Sequence, residues 1–170
     1  MCPRPDKYTG SLLADGAGKG KTAPMSPEEK MDVDEQIECL NRALRLQHRS
    51  VLMYSITAGS VIGLEYQAHA QKMNEHAVAE LEDATRLAEK VTALGGAPTT
   101  DVGEFEFSPD PAEALNRLID CEGETLEALQ AAIEPTGREA ASEAVEHRLE
   151  HMIMRKQEQV DYLLRARRRP

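Results

Sequence analysis

Four long stretches of this chain place apolar residues three and four positions apart, and each series breaks near its middle for a polar side chain. That spacing keeps side chains on one face of an α-helix, so each stretch is expected to form an amphipathic helix whose buried face carries a polar interruption. The first holds Ile37, Leu40, Leu44, Val51, Tyr54 and Ala58, and the second Met73, Ala77, Ala84, Leu87, Val91 and Leu94. The third holds Leu115, Leu118, Leu126, Leu129 and Ile133, and the fourth Val145, Leu149, Met152, Val160 and Leu163. Four such faces are covered most simply by turning them towards one another as a bundle.

The punctuation between the stretches sets the connectivity. Ser26-Pro27-Glu28-Glu29 is a helix start, with Ser as N-cap, Pro at the first position and acids in the first turn, and the helix is expected to reach about Gly59. A turn over Gly59 to Gly63 leads to the second helix, which Gly95-Gly96 and Pro98 stop. Asp110-Pro111 with Glu113 opens the third, Pro135 ends it, and Thr136 with Glu139 forms a capping box for the fourth. The first and last connections are short and predict antiparallel hairpins. The middle one, through APTTDVGEFEFS (97–108), is long enough to let helix three start at the same end as helix two. The fold class expected is therefore all-α, a four-helix bundle with one long crossover between helices two and three. Residues 26–168 form the bundle, and residues 1–25, rich in Gly, Lys, Pro and Ala, a flexible N-terminal arm.

Composition narrows the function. A chain of 170 residues suits one domain, and 4% aromatics with no Trp suit helix packing more than a β-sandwich. The net charge of −10 argues against nonspecific nucleic-acid binding, despite basic residues in the arm (Arg4, Lys7, Lys19, Lys21) and four arginines near the C-terminus. DNA retention by those tails is the minor alternative. Cys2, Cys39 and Cys121 are odd in number and far apart, without a CxxC, which points to a reducing compartment. No run long and apolar enough for a membrane span and no signal-like segment occurs, so a cytoplasmic protein without a membrane partner is expected. GAGKGKT in the arm is no phosphate loop: Asp15 stands where that pattern needs its first Gly.

The polar interruptions are Gln47 in helix one, Glu80 with Asp83 in helix two, Glu122 in helix three, and Lys156 with Gln159 in helix four. Burying a carboxylate is costly unless it is paired, hydrogen-bonded or bound to a metal. Four interruptions near mid-helix therefore suggest one shared polar site. Glu65, His69, His76 and Glu80 lie along one side of helix two, most simply as a solvated face, with His76 able to supplement the site. Glu143, His147, Glu150 and His151 on helix four are neighbours that suit exposed charge pairing, or a surface transition metal.

Ile37-Glu38-Cys39-Leu40-Asn41-Arg42-Ala43-Leu44, the segment Leu87 to Pro98, the crossover Thr99 to Glu104 and the Asp110-Pro111 start resemble the bacterioferritin branch of the ferritin-like superfamily over residues 37–165. The resemblance implies a di-iron centre built from one Glu on helix one, Glu-x-x-His on helix two, one Glu on helix three and Glu-x-x-His on helix four. Those places hold Gln47, then Glu80 and Asp83, then Glu122, then Lys156 and Gln159. Glu80 and Glu122 keep the pattern, Asp83 offers an oxygen for an imidazole, and Lys156 brings an ammonium with no lone pair to a ligand position. Three outcomes are open: Lys156 replaces the metal and pairs with Glu80 and Glu122; one metal, iron by the resemblance, is held by Glu80, Asp83 and Glu122; or a working oxidase centre survives. Haem is not expected, because Leu81 stands where the resemblance implies an axial Met.

The resemblance thus implies a ferritin-like protein of iron homeostasis with a degraded ferroxidase centre and no catalysis of its own, residual ferroxidase activity being the open exception. It would act as a non-catalytic or partner-dependent subunit: a homo-oligomer, dimer or larger, or one co-assembled with a competent ferritin-like subunit. The alternative is a non-enzymatic scaffold or interaction protein on the same bundle.

Overall fold

The computed structural model describes residues 30–60 and 66–168. The arm, the Ser26-Pro27 start and most of the Gly59 to Gly63 turn lie outside the described residues. Within them the chain forms four helices: α1 (Val33–Ser60), α2 (Gln67–Ala93), α3 (Pro111–Ala131) and α4 (Ala140–Arg167). None of these is long and apolar enough to cross a membrane.

Two helix starts differ from the sequence expectation. Residues 30–32 are not helical, and α1 opens at Val33 behind Asp32, whose Oδ1 accepts from the Glu35 N–H at 3.1 Å. Asp32 caps as well as a Ser and is followed by Asp34 and Glu35, which complement the helix dipole. The Thr136 capping box does not form either. Thr136 Oγ1 donates to the Ile133 carbonyl at 2.7 Å, and Glu139 takes the N-cap position of α4 without capping through its side chain. Glu139 Oε1 instead accepts from the Met31 N–H at 3.3 Å, joining the starts of α1 and α4. The third start is as expected: Asp110 Oδ1 accepts from the Glu113 N–H at 2.8 Å, with Pro111 in the first turn.

The end of α2 explains both glycines. Gly95 N donates to Thr92 O at 3.0 Å and Gly96 N to Val91 O at 2.9 Å, the paired bonds of a Schellman stop. Gly95 has φ +88°, which a side chain would strain. A Cβ on Gly96 would lie 2.8 Å from Ile37 Cγ2, so the second glycine lets the turn close on α1.

The crossover then climbs along α1. Asn41 Nδ2 donates to Ala97 O at 3.1 Å and its Oδ1 accepts from Thr99 N at 2.8 Å, while Gly103 N donates to Arg45 O at 3.0 Å. The chain thereby reaches the far end before α3 begins. Gln36 near the start of α1 donates to Ala132 O at the end of α3 (2.8 Å), and Arg167 at the end of α4 reaches Asn116 near the start of α3. Helices α2 and α3 therefore run the same way, antiparallel to α1 and α4, in the expected one-crossover bundle.

The core is two apolar clusters. One holds Leu40, Leu44, Leu87, Val91, Leu129, Val145, Leu149 and Met152, and the other Met53, Tyr54, Met73, Leu115, Leu118 and Leu163. Between them, at one level of the bundle, lie the buried polar side chains Gln47, Glu80, Glu122 and Lys156.

Candidate functional site

Each helix delivers one member of this layer from the middle of its buried face, one turn from an apolar neighbour on either side. Lys156 of α4 is 1% exposed and lies between two carboxylates that are 1% and 0% exposed. Its ammonium donates to Glu80 Oε2 of α2 at 2.5 Å and to Glu122 Oε2 of α3. Gln47 of α1 donates from Nε2 to the same Glu80 oxygen and to the Glu80 carbonyl, the latter at 3.2 Å. One cation thus joins the two retained carboxylates, and a neutral amide holds one of them from the fourth side.

The electrostatics follow from burial. Desolvation pushes the Glu80 carboxyl up to about 7; Lys156 opposes this, Glu122 adds to it, and hydrogen bonds from Lys156 and Gln159 oppose it again. Desolvation also disfavours the Lys156 charge, but Glu122 and Glu80 outweigh it and hold the ammonium above the ordinary lysine value. At neutral pH the lysine is therefore charged, and the raised Glu80 carboxyl titrates in the same range. The same two carboxylates, after burial, push the Tyr54 hydroxyl well above its usual value.

Asp83 does not join this group. Its Oδ1 is taken by Arg155 of α4 and by Arg86 at 3.3 Å. Burial raises its pKa, with Arg155 as the main opposing charge. The three sequence candidates therefore split: Glu80 and Glu122 meet through Lys156, and Asp83 faces two guanidiniums.

The expected solvated face of α2 is corrected. Glu65 lies outside the described residues, but His76 is buried, its ring 5.3 Å from Tyr54 and 5.5 Å from Tyr162 between centroids. His69 Nδ1 lies 2.6 Å from Tyr162 Oη. The tyrosines of α1 and α4 fill the space beside α2 and draw the imidazoles inward. Desolvation, then Lys72, lowers His76 to about 4, so it is neutral at pH 7.

Sequence reasoning missed Arg49, which is 3% exposed. Its guanidinium donates to Cys121 O and Glu124 Oε2, both at 2.7 Å, clamping α1 to α3 beside the polar layer. One Arg off the apolar stripe carries no signal that it will be buried. Glu122 Oε1, Gln159 Oε1, Tyr54 Oη and His76 Nε2 are buried near the layer without a protein hydrogen-bond partner among the described residues.

A four-helix bundle with a long crossover and inward polar groups at one level defines a class of proteins, and the comparisons agree. The family model for the ferritin-like domain matches residues 37–166. The chain belongs to the ferritin-like family. A solved ferritin-like, diiron-carboxylate protein from Bacillus anthracis str. Ames is 28% identical, over 85% of this chain and 100% of that one, with a TM-score of 0.74. A bacterioferritin from Rhodobacter capsulatus, solved with a metal-free dinuclear site and haem iron, is 22% identical over 81% of this chain and 86% of that one, with a TM-score of 0.72. At that identity the likeness is one of fold. No curated protein matches the chain.

The donor set does not fit a pair of divalent ions. Two such ions bring four positive charges, whereas Glu80 and Glu122 already share an ammonium and Asp83 is paired with Arg155. Gln47 and Gln159 offer only neutral amides. Among the described residues no group of three or more His, Cys, Asp or Glu side chains is placed to hold a metal. Leu81, where the resemblance implies a haem ligand, is a 57% exposed hydrocarbon with no lone pair to offer.

Proposed function

We propose that this ferritin-like protein serves iron homeostasis as a non-catalytic or partner-dependent subunit, with a lysine bridge in place of a ferroxidase centre. The observation that carries the reading is the Lys156 ammonium shared by Glu80 and Glu122. A metal entering there meets a fixed positive charge and must separate a buried ion pair. Half-buried free thiols at Cys39 and Cys121 suit a reducing compartment such as the cytoplasm. Exposed Leu52 and Ile56 on α1 and Val78 and Leu81 on α2 support assembly into a homodimer or larger oligomer, or with a competent ferritin-like subunit. A mass by light scattering above that of the monomer at micromolar concentration is the expected result.

The functional test is aerobic ferrous oxidation by the purified full chain. The proposal expects the uncatalysed rate. It also expects the variant Gln47→Glu, Asp83→His, Lys156→Glu, Gln159→His to gain metal binding. Rapid oxidation of two irons per chain by the parent would overturn it. One tightly bound iron per chain, lost in Glu122→Gln, would instead show that Glu80, Asp83 and Glu122 exchange Lys156 and Arg155 for a metal. The second reading, a scaffold that docks partners through its arm and helix faces, is favoured by the same exposed apolar residues. It predicts normal assembly with no effect of iron.

A further inference from the structure

The outer face of α4 carries a second cluster, distinct from the central layer. His147 and His151 are one turn apart, about 6 Å along the axis, and their rings meet edge to face, 5.4 Å between centroids and 79° between planes. Both are exposed; the His147 side chain is 77% accessible. His147 Nδ1 lies 3.2 Å from Glu150 Oε2. In the tautomer whose Nδ1–H donates to this carboxylate, Nε2 keeps its lone pair for an ion. That relay orients a metal-binding imidazole.

We propose that His147 and His151 form a two-imidazole site for a borderline divalent transition metal ion such as Ni2+, Cu2+ or Zn2+, with Glu150 as its positioning residue. Rotation of the two exposed side chains brings one nitrogen of each to a common ion, and water fills the remaining positions. The site needs only two protein ligands, so it does not depend on three groups already converging. Imidazole donors select these ions over Mg2+ and Ca2+, which take oxygen. Glu143, one turn before His147, adds negative charge at the same face without being required as a ligand.

The experiment is calorimetric titration of the full chain with Ni2+ in a non-coordinating buffer, with Mg2+ as control. Expected are saturable Ni2+ binding and none for Mg2+, with at least a tenfold loss of affinity in His147→Ala and in His151→Ala. Glu150→Gln should weaken binding about tenfold while keeping its stoichiometry. Circular dichroism should show the parent helix content in all three, since the side chains are exposed. The proposal is overturned if the parent binds no Ni2+, or if the double variant His147→Ala, His151→Ala binds it as tightly and in the same amount. An unchanged affinity in Glu150→Gln would overturn the positioning role, leaving the contact as surface pairing.

Discussion

Lys156 of α4 and Glu80 of α2 meet at 2.5 Å with each side chain 1% exposed, and the remaining partner of the ammonium is a second buried carboxylate, Glu122. Neither partner can turn to water without opening the bundle. The contact is thus a fixed element of the core, placed between its two apolar clusters, and its net worth depends on all three charges together.

Removing the cation should be expensive. Lys156→Met keeps most of the volume but strands Glu80 and Glu122, and should lose about 3–5 kcal/mol at neutral pH. The carboxyls, without their counter-ion, take up protons in the folded state at higher pH than in the unfolded chain. Acidification therefore favours the folded variant, and part of the loss should return between pH 7 and 5. Urea unfolding at several pH values measures this. A variant as stable as the parent from pH 5 to 8 would contradict the buried bridge.

His76 and Glu80 give the parent two opposed pH dependences. The folded His76 takes a proton only at about 4 against an ordinary 6.5, so lowering the pH through that window favours unfolding. Glu80 is protonated at about 7 in the fold against an ordinary 4.5, so the same acidification favours the fold. His76→Phe removes the first effect only. Between pH 7 and 5 the variant should gain about 2 kcal/mol relative to the parent. Parallel stability curves would show that His76 titrates as it does in the unfolded chain.

Arg49 should matter more than an ordinary helix arginine. Arg49→Met deletes charged hydrogen bonds to Cys121 O and Glu124, and a loss of about 1.5–3 kcal/mol is expected from such bonds. Because Arg49 also packs against Gly103, hydrogen exchange should accelerate in the crossover before the helix centres. Unchanged stability and exchange would reduce Arg49 to a passive neighbour.

Much of this architecture was legible in the sequence because period and punctuation act locally. Leu40, Leu87, Leu118 and Leu149 announce their faces by spacing alone, and all are buried. Gly95-Gly96 marks a stop whose chemistry few other residues can supply. The meeting of Lys156 with Glu80 and Glu122 was legible as one of three outcomes, because unpaired buried charges on facing stripes are costly. What remained hidden depends on competition between neighbours. Asp32 caps as well as Ser26 would, so residue type alone does not place the start of α1. Asp83 lies on the same face of α2 as Glu80, but Arg155, on another helix, claims it. His76 and Arg49 are polar residues buried by what surrounds them, Tyr54 and Tyr162 for one and the α3 carbonyl for the other.

The most direct measurement is a crystal structure of the full chain grown anaerobically with ferrous iron, with anomalous maps recorded at the iron edge. The account predicts no iron at the bundle centre and the Lys156 Nζ between Glu80 and Glu122. An anomalous peak coordinated by Glu80 and Glu122, with Lys156 displaced, would contradict it.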